Sequence, residues 1–408
     1  MPTLEIHMLH QLPPSLINRD EDGQPKTAHF GGAKRVRWSS QSAKRAMRIH
    51  FGDAGLIPAQ NLSSRTRKIP TLLTAALADL GHSAADAHAL AVNTVWGAGL
   101  LDTDPAKAAL KQSNVLLLIS DQEIRSIAER VHDRADELLA VAVPDHTIWP
   151  SGDDEESKAA ARRSKKERKA DCPAEFRELG KDALRRLDAT KAADIALFGR
   201  MMAQAPEAGV DGALHVAHAI GTNAIVDDLD YFTAVDDHAA PGEAATGFLD
   251  TASLTSAVFY RYHSLQLGQL GKNLAHDDKI IEATVNAALT ASVSAMPTAK
   301  QTSTAPWTRP SLVLTVLRED QPLSLANGFS RPVRADYGSD LITASARALA
   351  RHWDTLGRSW GHQGVIAAWH TWSGEPDAIT EPGLPGQALT IRDHLTTAAA
   401  RAVLHTGP

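Results

Sequence analysis

Between Lys26 and Arg48 the chain carries Lys26, Lys34, Arg35, Arg37, Lys44, Arg45 and Arg48, and not one Asp or Glu. The whole chain is acidic, with a formal net charge of −6. A cation-only block in an acidic chain suits a polyanionic partner. Gly31-Gly32 lets backbone come close to a ligand. Ser39-Ser40-Gln41-Ser42 can cap a helix and also offers neutral donors to phosphate. Lys, Arg, hydroxyls and amides are the groups that hold phosphate and sugar regardless of base. The block therefore reads as a holder of a nucleic-acid backbone.

Other groupings carry less. Asp20/Glu21, Asp153/Asp154, Asp227/Asp228 and Asp236/Asp237 lie in polar, loop-like stretches. Two-metal hydrolysis needs several carboxylates converging on ions, and solvated surface is the other reading. His215 and His218 can share one helical face and bind a metal, or they can be packing histidines. The lone cysteine, Cys172, stands in a charged stretch read as exposed. It excludes an internal disulfide framework and a Cys-rich zinc site, and it fits a reducing cytoplasm. Walker, Rossmann, zincin and nucleophile-elbow motifs are absent. No catalytic residue, metal or cofactor is assigned. The N-terminus has no basic and apolar signal-like run, and no 18-residue apolar window suggests a membrane span.

These residues need elements to position them. Residues 3–9 alternate, with Leu4, Ile6 and Met8 on one face and Thr3, Glu5 and His7 on the other, as in a half-buried strand ending at Pro13-Pro14. A helix is expected from Ser39 or Ser40, with Ala43, Ala46 and Met47 inward and Lys44 and Arg48 sharing an outer side. Residues 55–148 carry helical spacing. A basic run follows, with Lys158, Arg162, Arg163, Lys165, Lys166, Arg168 and Lys169. It reads either as a solvated helix or loop or as a patch for duplex DNA. ADIALFGRMMA reads as a strand, 211–256 as an acidic arm bearing Tyr231-Phe232, and 257–267 as a strand. A helix over 277–296 and a loop holding Lys300 follow. SLVLTVL is a strand buried on both faces, and helix, strand and helix close the chain. This order suits an α+β fold, an antiparallel sheet with helices on one face, interrupted by a helical insertion.

The run LPPSLINRDEDGQPKTAHFGGAKRVRWSSQSAKRAMR resembles the CasC-type backbone subunit of the type I-E CRISPR Cascade complex. DIALFGRM, VDGALHVAHAI, VDDLDYFTAVDD, SAVFYRY, PTAKQ and PLSLANGF match in the same order. The resemblance implies a modified RRM-like (ferredoxin-like) palm from 1–54, 191–224 and 257–408, helical fingers over 55–190 and a thumb arm over 225–256. It implies a non-catalytic, cytoplasmic RNA-binding subunit. Copies stack along CRISPR RNA beside other Cascade subunits and present the guide to target DNA, away from any membrane.

Residue by residue, the resemblance makes Arg19, Lys26, Lys34, Ser39, Gln41, Lys44, Arg45 and Arg48 backbone contacts. Met201 and Phe232 become an apolar pair against bases, and Lys300 a further contact. The run 158–169 would touch target duplex. Delegating sequence to base pairing and stacking on bases of any identity both fit that composition. Two alternatives stay open. One is a guide-dependent ribonuclease using Asp20, and the other is a stand-alone RRM-like RNA-binding protein.

Overall fold

A computed structural model describes residues 2–101, 112–143, 172–203, 205–226, 228–238, 246–335, 338–375 and 383–407. The basic run 158–169 lies outside the described residues. In chain order the elements are β1 (Thr3–Ser15), β2 (Thr27–Phe30), β3 (Ala33–Trp38), α1 (Ser40–Asp53), β4 (Ser63–Thr66), α2 (Ile69–Asp79), α3 (Ala84–Gly97) and β5 (Leu117–Ser120). Next come α4 (Asp121–His132), α5 (Ala135–Leu139), α6 (Ala174–Arg185), α7 (Ala193–Phe198), β6 (Leu214–Val216), β7 (Ala219–Gly221), β8 (Asp228–Val235) and β9 (Thr246–Gln266). The chain closes with α8 (Leu267–Asn273), α9 (Asp278–Ser294), α10 (Gln301–Thr304), β10 (Leu312–Arg318), α11 (Leu341–Trp360), β11 (Val365–Trp372), β12 (Gln387–Ala388) and α12 (Ile391–Val403). They form two compact units. One is Met1–Ile57, Ala213–Lys272 and His276–Pro408; the other is Pro58–Gly212 and Asn273–Ala275.

The first unit is α+β. Its sheet runs β12-β11-β10-β1-β9-β7-β3-β2, with β6 and β8 also on β9. Neighbours are antiparallel except β11 and β12, which pair in parallel. β1 lies between β9 and β10, so Thr3 to His10 are all buried. The expectation of a half-buried strand fails for this reason, because both faces are covered. β1 also runs through Pro13-Pro14, where the register against β9 shifts between Leu12 and Ser15. An irregular pairing is where a strand can tolerate a residue with no N–H to give.

Helices cover both faces, not one. On one face Arg261 Nη2 donates to the Ser292 carbonyl of α9 at 2.7 Å. His394 of α12 bonds both Thr315 Oγ1 (2.8 Å) and Thr371 Oγ1 (2.9 Å). On the other face Leu9, Val258, Tyr260, Leu312, Leu314 and Val316 pack with Ile342, Ala346, Leu349 and Trp353 of α11. Polar residues of β1 on this face are matched by partners far along the chain. Glu5 accepts from Tyr262 Oη (2.8 Å) and Arg318 Nη1 (3.2 Å). Buried carboxylates demand such partners.

The second unit is mainly helical. Leu73, Leu90, Trp96, Ile127, Phe176 and Leu179, from α2, α3, α4 and α6, share one core. α4 opens with a capping box between Ser120 and Glu123. Glu123 also takes the buried Arg200 at 2.7 Å. ADIALF is the helix α7, capped by Gly199, and not a strand. An apolar run this short cannot be assigned by periodicity. Asp194 ties this helix to β4: its carboxylate accepts from the Ser63 N–H (2.9 Å) and Oγ (2.6 Å). Cys172 is 1 % exposed and belongs to this core, against the expectation of exposure. Burial pushes its thiol up to about 12. No helix among the described residues is long and apolar enough to cross a membrane.

Candidate nucleic-acid interface

The site is built on the turn between β1 and β2 and on the start of α1. Asp20 Oδ1 accepts the N–H groups of Asp22 (3.0 Å) and Gln24 (2.8 Å), which closes the turn. Asn18 Oδ1 accepts the Ser39 N–H at 2.8 Å, and its carbonyl accepts from Lys26 N at 2.9 Å. Ser39, 5 % exposed, caps α1 by accepting from Ser42 N at 3.4 Å. Asn18, Asp20 and Ser39 thus set the backbone, and Arg19 and Gln41 are left exposed between them.

α1 buries Ala43, Ala46, Met47 and Phe51. That phase leaves Arg45 exposed and Lys44 and Arg48 half-buried. Burial lowers the Lys44 ammonium below its ordinary value. Arg19 and Arg45 share one cleft of about 530 Å³ with Asp20, Ser42 and a wall formed by Met296–Ala299. Its open, polar walls suit a charged chain better than a compact apolar ligand.

The cations of the block divide by role. Lys34 is exposed and Lys26 half-buried. Arg35 is wholly buried: its guanidinium donates to the carbonyls of Gly221 (2.9 Å), Thr222 (2.7 Å), Phe329 (2.9 Å) and Ser330 (3.3 Å). It belongs to the core and not to the phosphate-facing set. Gly31 has φ +58, and a Cβ there would sit 1.7 Å from the Ser330 carbonyl oxygen. FGGAKR and PLSLANGF therefore fit each other. Arg37 Nη1 donates to His218 Nδ1 at 2.9 Å. Burial, then Arg37 and Lys26, hold His218 below its ordinary value. His215 stands on the strand β6 and His218 beyond it, so they do not share a helical face. Among the described residues no three His, Cys, Asp or Glu side chains gather as a metal site would need.

Lys300 is exposed, with its backbone in the left-handed region at φ +50. Its ammonium stands 6.0 Å from the Phe232 ring centroid. Phe232 is 38 % exposed on β8, which pairs with the first half of β9 as a hairpin. Met201 belongs to the second unit and is 90 % exposed. Trp307 (67 % exposed) and Arg309 are two exposed residues that no sequence pattern singles out. An isolated Trp between two prolines carries no periodicity to flag it.

The fold of the chain has counterparts among solved structures. A chain of a pre-nicking CRISPR RNA-guided surveillance complex is similar at 26% identity and a TM-score of 0.77, over 98% of this chain and 100% of that one. A second chain, of a CRISPR RNA-guided surveillance complex, shares the fold at 23% identity and a TM-score of 0.68, over 98% and 99%. No curated protein sequence matches. The family model for CT1975-like proteins matches residues 4–396, and the chain belongs to that family.

Proposed function

We propose that this chain is the non-catalytic, RNA-binding backbone subunit of a type I-E Cascade complex. The observation that carries the reading is the extent of the likeness to a surveillance-complex chain, 98% of this chain and 100% of the other. That span includes the strand-to-helix block, the hairpin and the Lys300 turn together. The sheet unit acts as the RRM-like palm, the helical unit as the fingers and the arm over 225–256, which carries the β8–β9 hairpin, as the thumb. Copies line up along CRISPR RNA in the cytoplasm with the other Cascade subunits. Arg19, Arg45, Lys34 and Gln41 hold phosphate and sugar, and Lys26, Lys44 and Arg48 add charge from half-buried positions. Phe232, Met201 and Lys300 meet bases and the adjoining backbone. The guide is then presented to target DNA.

Phosphate contacts fix position without reading sequence. Binding of unrelated single-stranded RNAs by the purified chain tests this. Similar affinity for all of them, falling steeply with salt, is expected. Strong preference for one short sequence, or no dependence on salt, would refute it.

A further inference from the structure

We propose that Trp307 is a stacking platform for a base of a single-stranded nucleic acid, with Arg309 beside it to meet the adjoining phosphate. The inference rests on the RNA-binding reading proposed for the chain and extends it to a loop that the reading does not use. The indole is 67 % exposed, yet the segment that carries it is hydrogen-bonded to β1. Thr308 Oγ1 donates to the Gln11 carbonyl at 2.8 Å. His10 Nε2 lies 3.1 Å from both the carbonyl and the hydroxyl of Thr308. Ser311 N donates to the Leu9 carbonyl at 2.9 Å. His10 itself is fully buried in β1.

Two tight turns, Trp307 N to Ala305 O (2.8 Å) and Thr308 N to Pro306 O (3.0 Å), fix the segment between Pro306 and Pro310. A rigid, exposed ring loses little freedom when a flat partner stacks on it. The exposed neighbours on this segment are Thr302, Ser303, Ala305, Thr308 and Arg309, with Lys300 just before. No second large apolar side chain is exposed on it. An apolar protein partner would want one, whereas a nucleotide wants one flat face and one cation. The Arg309 charge adds, after burial, to what holds His10 of β1 and His50 of α1 below their ordinary values.

The test uses the full chain and a labelled homopolymeric single-stranded RNA, with DNA of matching sequence as a second arm. Trp307→Ala is expected to weaken binding about 5- to 100-fold on both strands. It should leave the salt slope unchanged and remove part of the tryptophan quenching seen on binding. Trp307→Phe should keep most of the affinity and Trp307→Leu should not, which separates stacking from apolar bulk. Wild-type affinity and quenching in Trp307→Ala would overturn the stacking site and leave the RNA-binding reading standing. A wild-type chain that binds neither strand would overturn both. Unchanged RNA affinity with lost self-association in light scattering would assign the indole to an interface between copies and overturn the proposal.

Discussion

The Lys300 ammonium and the Phe232 ring face each other at 6.0 Å. One residue sits on a left-handed turn after α9 and the other on β8 of the hairpin, 68 positions earlier in the chain (300 − 232). A cation over an aromatic face contributes about 0.5–1 kcal/mol at an exposed site. Phe232→Ala should therefore leave the melting temperature of the chain nearly unchanged. On the proposed reading it should impair ordered assembly on RNA, seen as irregular particles in electron microscopy. A cooperative loss of folding in Phe232→Ala would place the ring in the core instead.

Arg19 and Arg45 meet in one cleft although they are 26 positions apart (45 − 19). Replacing both by Ala should weaken RNA binding equally for all sequences. The salt slope should drop by about 0.7 for each phosphate of a single strand that is no longer neutralised. Filter binding across a salt series measures it. An unchanged slope would mean that these guanidiniums do not meet phosphate.

Gly31 and Arg35 predict a loss of stability and not of charge. Gly31→Ala places a Cβ against the Ser330 carbonyl in a left-handed backbone, and should cost at least ~3 kcal/mol. Arg35→Met strips four carbonyls of their donor and should cost a similar ~3 kcal/mol. Denaturant titration reads both. If Arg35→Met instead lost RNA affinity at full stability, the core assignment of Arg35 would be wrong.

Acid sensitivity follows from His394. Burial, then the neighbouring His370, holds its imidazole down to about 4 from 6.5. The folded chain thus binds that proton less readily than the unfolded chain. The stability contributed by the neutral ring is present above about pH 6.5. It is lost as pH falls toward about 4, by roughly 3 kcal/mol at ~1.4 kcal/mol per unit. His394→Gln should flatten the decline of melting temperature with acid. An unaltered decline would shift the cause to other groups, His10 foremost, which burial and Arg261 hold down to about 3.

Asp20 closes its own turn through two backbone N–H groups. Asp20→Ala should loosen that turn and lower RNA affinity. The assembled complex, incubated with complementary RNA and Mg²⁺, should show no regular cleavage with either residue. Cleavage at regular intervals that Asp20→Ala abolishes would make the subunit a ribonuclease.

Local signals in the sequence carried the helix start, the buried strand β10, the α9 helix and the exposed arm aromatics. They rest on caps and periodicity, which a chain displays residue by residue. What they could not carry was partnership at a distance. Arg35 reads as one more cation until Phe329 and Ser330 close on it. Glu5 reads as a solvent-facing residue until Tyr262 and Arg318 arrive from strands on either side. Cys172 lies beside charges in sequence and beside Phe176 in the core. ADIALF is a helix whose Asp194 bonds Ser63 from 131 positions away, a tie that no local pattern shows.

Whether the chain is the backbone of an RNA-guided particle is read most directly from the mass and nucleic-acid content of what forms when it is co-expressed with its neighbouring gene products and a CRISPR array. A particle holding several copies of the chain on one RNA, with sequence that comes from the array, is expected. A particle without RNA, or one whose RNA is a random sample of the cell's transcripts, would contradict the proposed function.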